Sequence, residues 1–226
     1  MTSIQKSYLF AVLVLMVLSC SGKESVEEEK MDTQPSKESM EATFQKLELG
    51  LSQKSAWKSH WTSQGINMAM EEFEWVFTDS IDPMEMPEKN PILVGDPLFP
   101  YQFAHPEGNG TVDIYSYKIE AQDGLDKPYL NPDSEVIWYR ADGMKERLLF
   151  MGPSGMFEEG LWLSPSEFLV MGYFQEDEGF RPMLWLIRTD KHLLSQFKLK
   201  KVVGEYSPES YLSRRLKGLD LSTNGN

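Results

Sequence analysis

Six prolines fall between residues 83 and 106, at positions 83, 87, 91, 97, 100 and 106. Each fixes φ and removes a backbone donor, so neither a helix nor a central strand can run through this stretch. Ile92, Leu93, Val94, Leu98, Phe99, Tyr101 and Phe103 lie among them. Such apolar content predicts a segment that wraps a core, and a long irregular segment inside a compact domain is often functional. His105 stands near its end, directly before Pro106.

The chain on either side obeys different periods. Before the prolines, Met40, Phe44, Leu47 and Leu51 are spaced by four, three and four, with Glu41, Gln45 and Lys46 off the stripe. That is the pattern of an amphipathic helix. Trp57 and Trp61 extend the stripe after a break expected near Gly50, and His60 between Ser59 and Trp61 reads as a surface or capping residue. Residues 72–78 (EFEWVFT) read as a strand. After the prolines, Asn109-Gly110 signals a turn and 111–120 (TVDIYSYKIE) a strand. Four apolar runs follow, at 135–140, 147–151, 168–174 and 183–188, with one more at 193–200. Breaks such as Asp142-Gly143 and Gly152-Pro153 separate them. Short strands joined by tight turns predict an antiparallel meander. Ser207-Pro208-Glu209 then predicts a helix start, with Tyr211, Leu212, Leu216 and Leu219 as its inner face. The expected fold is β-rich α+β: an antiparallel meander sheet with an N-terminal amphipathic helix and a C-terminal helix. One domain, residues 39–221, is expected to hold it, with 222–226 as a frayed tail.

The first twenty residues carry a different message. Lys6 precedes an uncharged apolar run, Tyr8 to Leu18, and Ser19-Cys20 follows. A run of this length is too short to span a bilayer as a helix and matches a secretory leader. Val17-Leu18-Ser19-Cys20 resembles the lipobox of bacterial lipoproteins. The resemblance implies removal of residues 1–19 and acylation of Cys20, an anchor that two or more acyl chains make stable. It also implies a bacterial envelope location, most simply the outer membrane. Residues 20–38 contain Glu27-Glu28-Glu29 and few large apolar side chains, so a disordered acidic tether is expected there. In some lipoproteins of Bacteroidota-like bacteria, an acidic run near the lipidated cysteine resembles a cue for export to the cell surface. A solvated spacer explains the same residues.

The charge balance narrows the partners. The formal charge is −13, and −14 once Lys6 leaves with the leader. A chain with so large an acidic excess and no basic cluster is a poor ligand for nucleic acid or for anionic lipid. Membrane attachment therefore falls to the acyl chains on Cys20. Cys20 is also the sole cysteine, so the fold has no disulfide, thiolate metal ligand or thiol nucleophile beyond it.

Catalytic signatures are sparse. No Gly-x-Ser-x-Gly, phosphate-binding glycine loop or His-Glu-x-x-His occurs, and His60, His105 and His192 have no ligand-type neighbours at metal spacing. Glu176, Asp177 and Glu178 form the densest acidic cluster of the domain. Its two readings are a weak Ca²⁺ site and a soluble turn, and the lack of an alternating ligand pattern favours the turn. Trp138, Trp162 and Trp185 read either as a stacking platform for sugar or peptide or as core. Trp162, beside Gly160 in what reads as a loop, is the candidate for exposure and, with His105, for ligand binding. Arg147, Arg181, Arg188, Arg214 and Arg215 are expected to pair with surplus carboxylates. Asn131-Pro132 and Ser164-Pro165 each open a strand. The second, with Trp162 before it and Leu184-Trp185-Leu186 after, looks like one blade of a periplasmic β-propeller, though marking of strand starts is the preferred reading.

These readings lead to a lipid-anchored envelope protein with no cofactor, whose domain binds a ligand, an envelope protein or extracellular material without catalysis. The alternatives are a small extracytoplasmic hydrolase built on the proline-rich loop with His105 or His192, and a structural envelope protein.

Overall fold

The computed structural model describes residues 37–120 and 129–219. The leader, Cys20, nearly all of the acidic tether and the expected tail lie outside the described residues.

The fold is β-rich, with two five-stranded antiparallel sheets and few helices. The larger part of the first sheet is the meander β9 (Gly155–Ser164), β10 (Glu167–Glu176), β11 (Gly179–Arg188) and β12 (Leu193–Leu199). β1 (Phe73–Ser80) adds to its far edge, pairing Phe73 with Leu199. The second sheet runs β2 (Met84–Pro87), β8 (Met144–Met151), β7 (Ser134–Tyr139), β4 (Thr111–Asp113) and β3 (Phe103–Ala104). The expected single meander is thus divided, because the chain changes sheets between β8 and β9. The two Pro-led strand openings consequently lie in different sheets, Pro132 before β7 and Pro165 before β10. A short hairpin, β5 (Ile119–Glu120) with β6 (Tyr129–Leu130), completes the strands.

The prolines explain the order of the second sheet. Its two edges, β2 and β3, both come from the proline-rich region, where a missing N–H does no harm to a ladder. The expected strand over 111–120 stops at Asp113, whose buried carboxylate accepts the backbone N–H of Tyr115 and Ser116 and turns the chain. Burial raises the Asp113 pKa, and these donors pull it back down.

Strand alternation gives the first sheet two different faces. Helices α1 (Lys37–Gln53) and α2 (Ser55–Thr62) cover one face. Phe44 meets Phe197 edge-on at 5.5 Å, and Trp61 lies 6.1 Å from Tyr173. Gly50 does not break the helix as expected; the break falls at Lys54. A Cβ at Gly50 would come within 2.8 Å of Leu169 and 2.9 Å of Leu163, so glycine lets α1 settle onto the sheet. The other face meets the second sheet, with Trp162 against Trp138 at 5.8 Å and Phe168 against Phe103 at 5.6 Å.

The last helix, α3 (Ser210–Arg215), starts two residues later than Ser207-Pro208-Glu209 predicts. Those residues form a turn instead, closed by Ser210 N–H to Ser207 O at 2.9 Å. Tyr211, Leu212 and Leu216 are buried. Among the described residues, no helix is long and apolar enough to cross a membrane.

Candidate functional site

Where β8 stops covering the first sheet, an apolar groove of about 410 Å³ opens between the sheets. Trp185 on β11 and Phe157 on β9 form its floor, edge to face at 5.1 Å. Trp185 is aimed by its indole N–H, which donates to Gln196 Oε1 on β12 at 3.1 Å. Phe150 and Phe174 also line it, 51% and 40% exposed, and the Arg147 guanidinium lies over the Phe150 ring at 5.4 Å. Lys198 and Glu176 form the charged rim; Lys198 pairs with Glu74 at 3.2 Å. Two exposed phenylalanines over a buried tryptophan can take an apolar side chain or acyl segment. A second cleft, of about 630 Å³, lies between α1 and the β9–β10 and β11–β12 turns. It is polar, and Glu167 there is already held by Lys46 at 2.9 Å and faces Arg188 at 3.7 Å.

Trp162 does not sit in an exposed loop. It is part of β9 and partly buried, and its indole N–H donates to Phe103 O at 3.1 Å. His105 packs against it at 4.6 Å and is itself buried. Its Nε2–H donates to Pro165 O at 2.7 Å, which leaves Nδ1 to accept the N–H of Glu107 and Asn109 at 3.1 and 3.3 Å. His105 thus staples the proline-rich loop to the β9–β10 turn. Trp138 joins this cluster, while Trp185 belongs to the groove, so the three tryptophans form no common platform.

Asp177-Glu178 form the two-residue turn of the β10–β11 hairpin, and both Glu176 oxygens accept from Arg181 at 2.6 and 2.5 Å. A guanidinium thus engages both oxygens of Glu176, and Arg181 holds its carboxyl below the usual range. Among the described residues, no three metal-ligating side chains converge. Other expected arginine pairs form: Arg147 with Glu135 at 3.1 Å, Arg215 with Glu159 at 2.8 Å. His192 occupies the β11–β12 turn at φ 47°, half exposed, 3.7 Å from Glu146.

The densest buried polar cluster is one that residue patterns did not disclose. Glu158 and Glu159 are neighbours on β9, yet both are buried. A bulge makes this possible. Met171 pairs with Glu159 and Gly172 with Phe157, so Glu158 is the extra residue and swings to the helix side with its neighbour. Gly172 accepts the close approach, since a Cβ there would lie 2.0 Å from Met156 O.

The two carboxylates have opposite company. Glu159 pairs with Lys54 at 3.0 Å and with Arg215 at 2.8 Å, although the Arg215 Nε–H is not aligned as a hydrogen bond. Tyr211 Oη and Gly160 N–H also donate to it. Glu158 has only neutral donors among the described residues: Trp57 Nε1 at 2.8 Å, Trp61 Nε1 at 3.0 Å and Tyr206 Oη at 2.6 Å. Burial pushes its carboxyl up to about 7, against the pull of those three bonds. His60 is not at the surface. It is buried, and its Nε2 lies 3.1 Å from Tyr206 Oη and 3.2 Å from Ser210 Oγ. Burial first, then Arg214, lowers its pKa. The two indoles four residues apart on α2 were the available signal, because each buried Trp N–H needs an acceptor.

No family model, curated protein or solved structure matches this chain.

Proposed function

We propose that this is a lipid-anchored bacterial envelope protein, held by acyl chains on Cys20, whose domain binds a ligand or partner segment through the groove between its sheets. The observation that carries the binding part is the pair of exposed phenylalanines, Phe150 and Phe174, over the buried Trp185. The leader and the lipobox-like residues support the anchoring part. The groove is apolar with a charged rim, which suits an acyl chain or an apolar peptide side chain rather than a sugar.

Ser210 and His60 meet the distance of a serine–histidine pair but differ from a nucleophile and its base in one respect. A base takes the nucleophile's proton with one ring nitrogen while an acid orients the other. Here Ser210 and the Tyr206–Glu158 chain share the same nitrogen, Nε2. The arrangement suits a clasp on the C-terminal segment.

Fractionation of cells carrying wild type or Cys20→Ala tests the anchor: wild type is expected with membranes and the variant released or unprocessed. Identical fractionation ends the lipoprotein reading. Titration of the purified domain with a neutral naphthylamine dye, read by the rise in dye fluorescence, tests the groove. Phe174→Asp is expected to abolish saturable binding, and unchanged binding would remove the groove from the account.

A further inference from the structure

Glu158 joins elements from both ends of the domain. Trp57 and Trp61 come from α2, and Tyr206 from the segment between β12 and α3. Near its start that segment is otherwise held by the bridge of Val203 to Phe180 and by the rings around Tyr206, stacked on Trp61 at 4.3 Å, edge-on to Tyr173 at 5.3 Å and tilted against Phe180 at 5.5 Å. Beyond it, Tyr211 and Arg215 reach Glu159, and Gly218 N–H reaches Tyr101 Oη at 3.4 Å. We propose that residues 203–219 form a proton-operated clasp, closed over neutral Glu158 and loosened when that carboxyl ionises.

The hydrogen-bond chain permits either protonation state but in opposite directions. With Glu158 ionised, Tyr206 donates to Oε1 and His60 Nε2–H donates toward Tyr206 or Ser210. With Glu158 neutral, its own O–H donates to Tyr206 Oη, Tyr206 donates to His60 Nε2, and His60 carries its proton on Nδ1. One proton at Glu158 therefore reverses two further bonds without moving a heavy atom. Hydroxyls can donate or accept, which is what makes the reversal possible.

The surroundings favour the neutral form. Around Glu158 the titratable or charged groups are Glu159 on the same strand; Tyr173 on β10; Lys54 and His60 from the helices; Tyr115 from the loop after β4; and Tyr206, Glu209, Tyr211, Arg214 and Arg215 from the clasp. Of these, Lys54 and Arg215 are engaged by Glu159. An ionised Glu158 would thus be a second buried negative charge beside Glu159, a costly arrangement for a group that no cation neutralises. The direction follows from linkage. The closed clasp holds the Glu158 proton up to about pH 7, whereas in the open state the carboxyl returns toward its ordinary 4.5. Closure is therefore strongest below about pH 4.5, weakens as pH rises to about 7, and is level above that.

Amide hydrogen exchange tests this on the full domain, with protection factors corrected for intrinsic rate. From pH 5 to pH 8, protection over residues 203–219 is expected to fall at least tenfold in wild type while β10 and β11 hold theirs. In Glu158→Gln, which keeps a neutral acceptor in place, the drop is expected to vanish. Equal protection at both pH values in wild type, or an undiminished drop in the variant, overturns the proposal. Should the variant fail to fold, a carbon-13 titration of the Glu158 carboxyl in wild type decides: a midpoint near 7 supports the clasp, and one below 5 refutes it.

Discussion

His60 and His105 are both buried and both packed against indoles, yet their hydrogen bonds differ in kind. His105 is held by backbone. A carbonyl can only accept and an amide N–H can only donate, so Pro165, Glu107 and Asn109 fix one tautomer and one direction. His60 is held by hydroxyls, which do either, and beyond them by a carboxyl that two indoles and a phenol keep in a dry site. The first cluster is a permanent staple between a loop and a turn. The second has two self-consistent patterns, and the difference lies wholly in the partners, not in the histidine.

The largest expected effect comes from removing the aromatic frame on the His60 side. Trp61→Ala deletes a fully buried indole, the stack on Tyr206 and one donor to Glu158. A loss of about 4 kcal/mol is expected in urea denaturation. Next comes the contrast between the neighbouring carboxylates. Glu159→Gln strips Lys54 and Arg215 of their buried partner and should cost about 3 kcal/mol. Glu158→Gln should do the opposite in alkaline solution. Its stability is expected to exceed wild type by on the order of 2 kcal/mol at pH 8 and to match it at pH 4.5, measured by denaturation at each pH. A Glu158→Gln protein that loses stability equally at both pH values would dissolve the distinction drawn between the two carboxylates. The smallest effect is expected on the His105 side. Trp162→Phe removes the bond to Phe103 O and trims the ring packed against His105 and Trp138, a loss of about 1 kcal/mol, and should leave the wild-type slope of stability against pH unchanged.

Residue patterns disclosed the strands that are unbroken apolar runs or alternate regularly. β1, β7, β8, β10, β11 and β12 fall where apolar runs between turn signals place them. β9 was illegible for a physical reason. The stretch around Gly160 reads as a loop, because a bulge turns Glu158 and Glu159 to one side and defeats the period of two. The loss of β9 also misplaced Trp162. The groove was half legible, since Trp185 was among the tryptophans singled out while Phe150 and Phe174 were read only as strand residues. That a mid-strand phenylalanine faces water depends on where the opposing sheet ends, which no local pattern records. The polar cluster depends on residues 57, 61, 115, 158, 206 and 211 meeting in space, and only the two tryptophans share a local spacing.

The pairing of β1 with β12 has a consequence for the order of events during synthesis. Phe73 must find Leu199, and Trp61 must find Tyr206, before the helix face of the first sheet is sealed. Contacts this distant along the chain form late and slow the approach to the native state. A nascent chain stopped short of residue 193 has β9, β10 and β11 but no partner for β1, and its helices have an incomplete surface to settle on. The first sheet is therefore closed by residues made after β9, β10 and β11. A truncation of a few residues past β12 is accordingly expected to cost more than its length suggests.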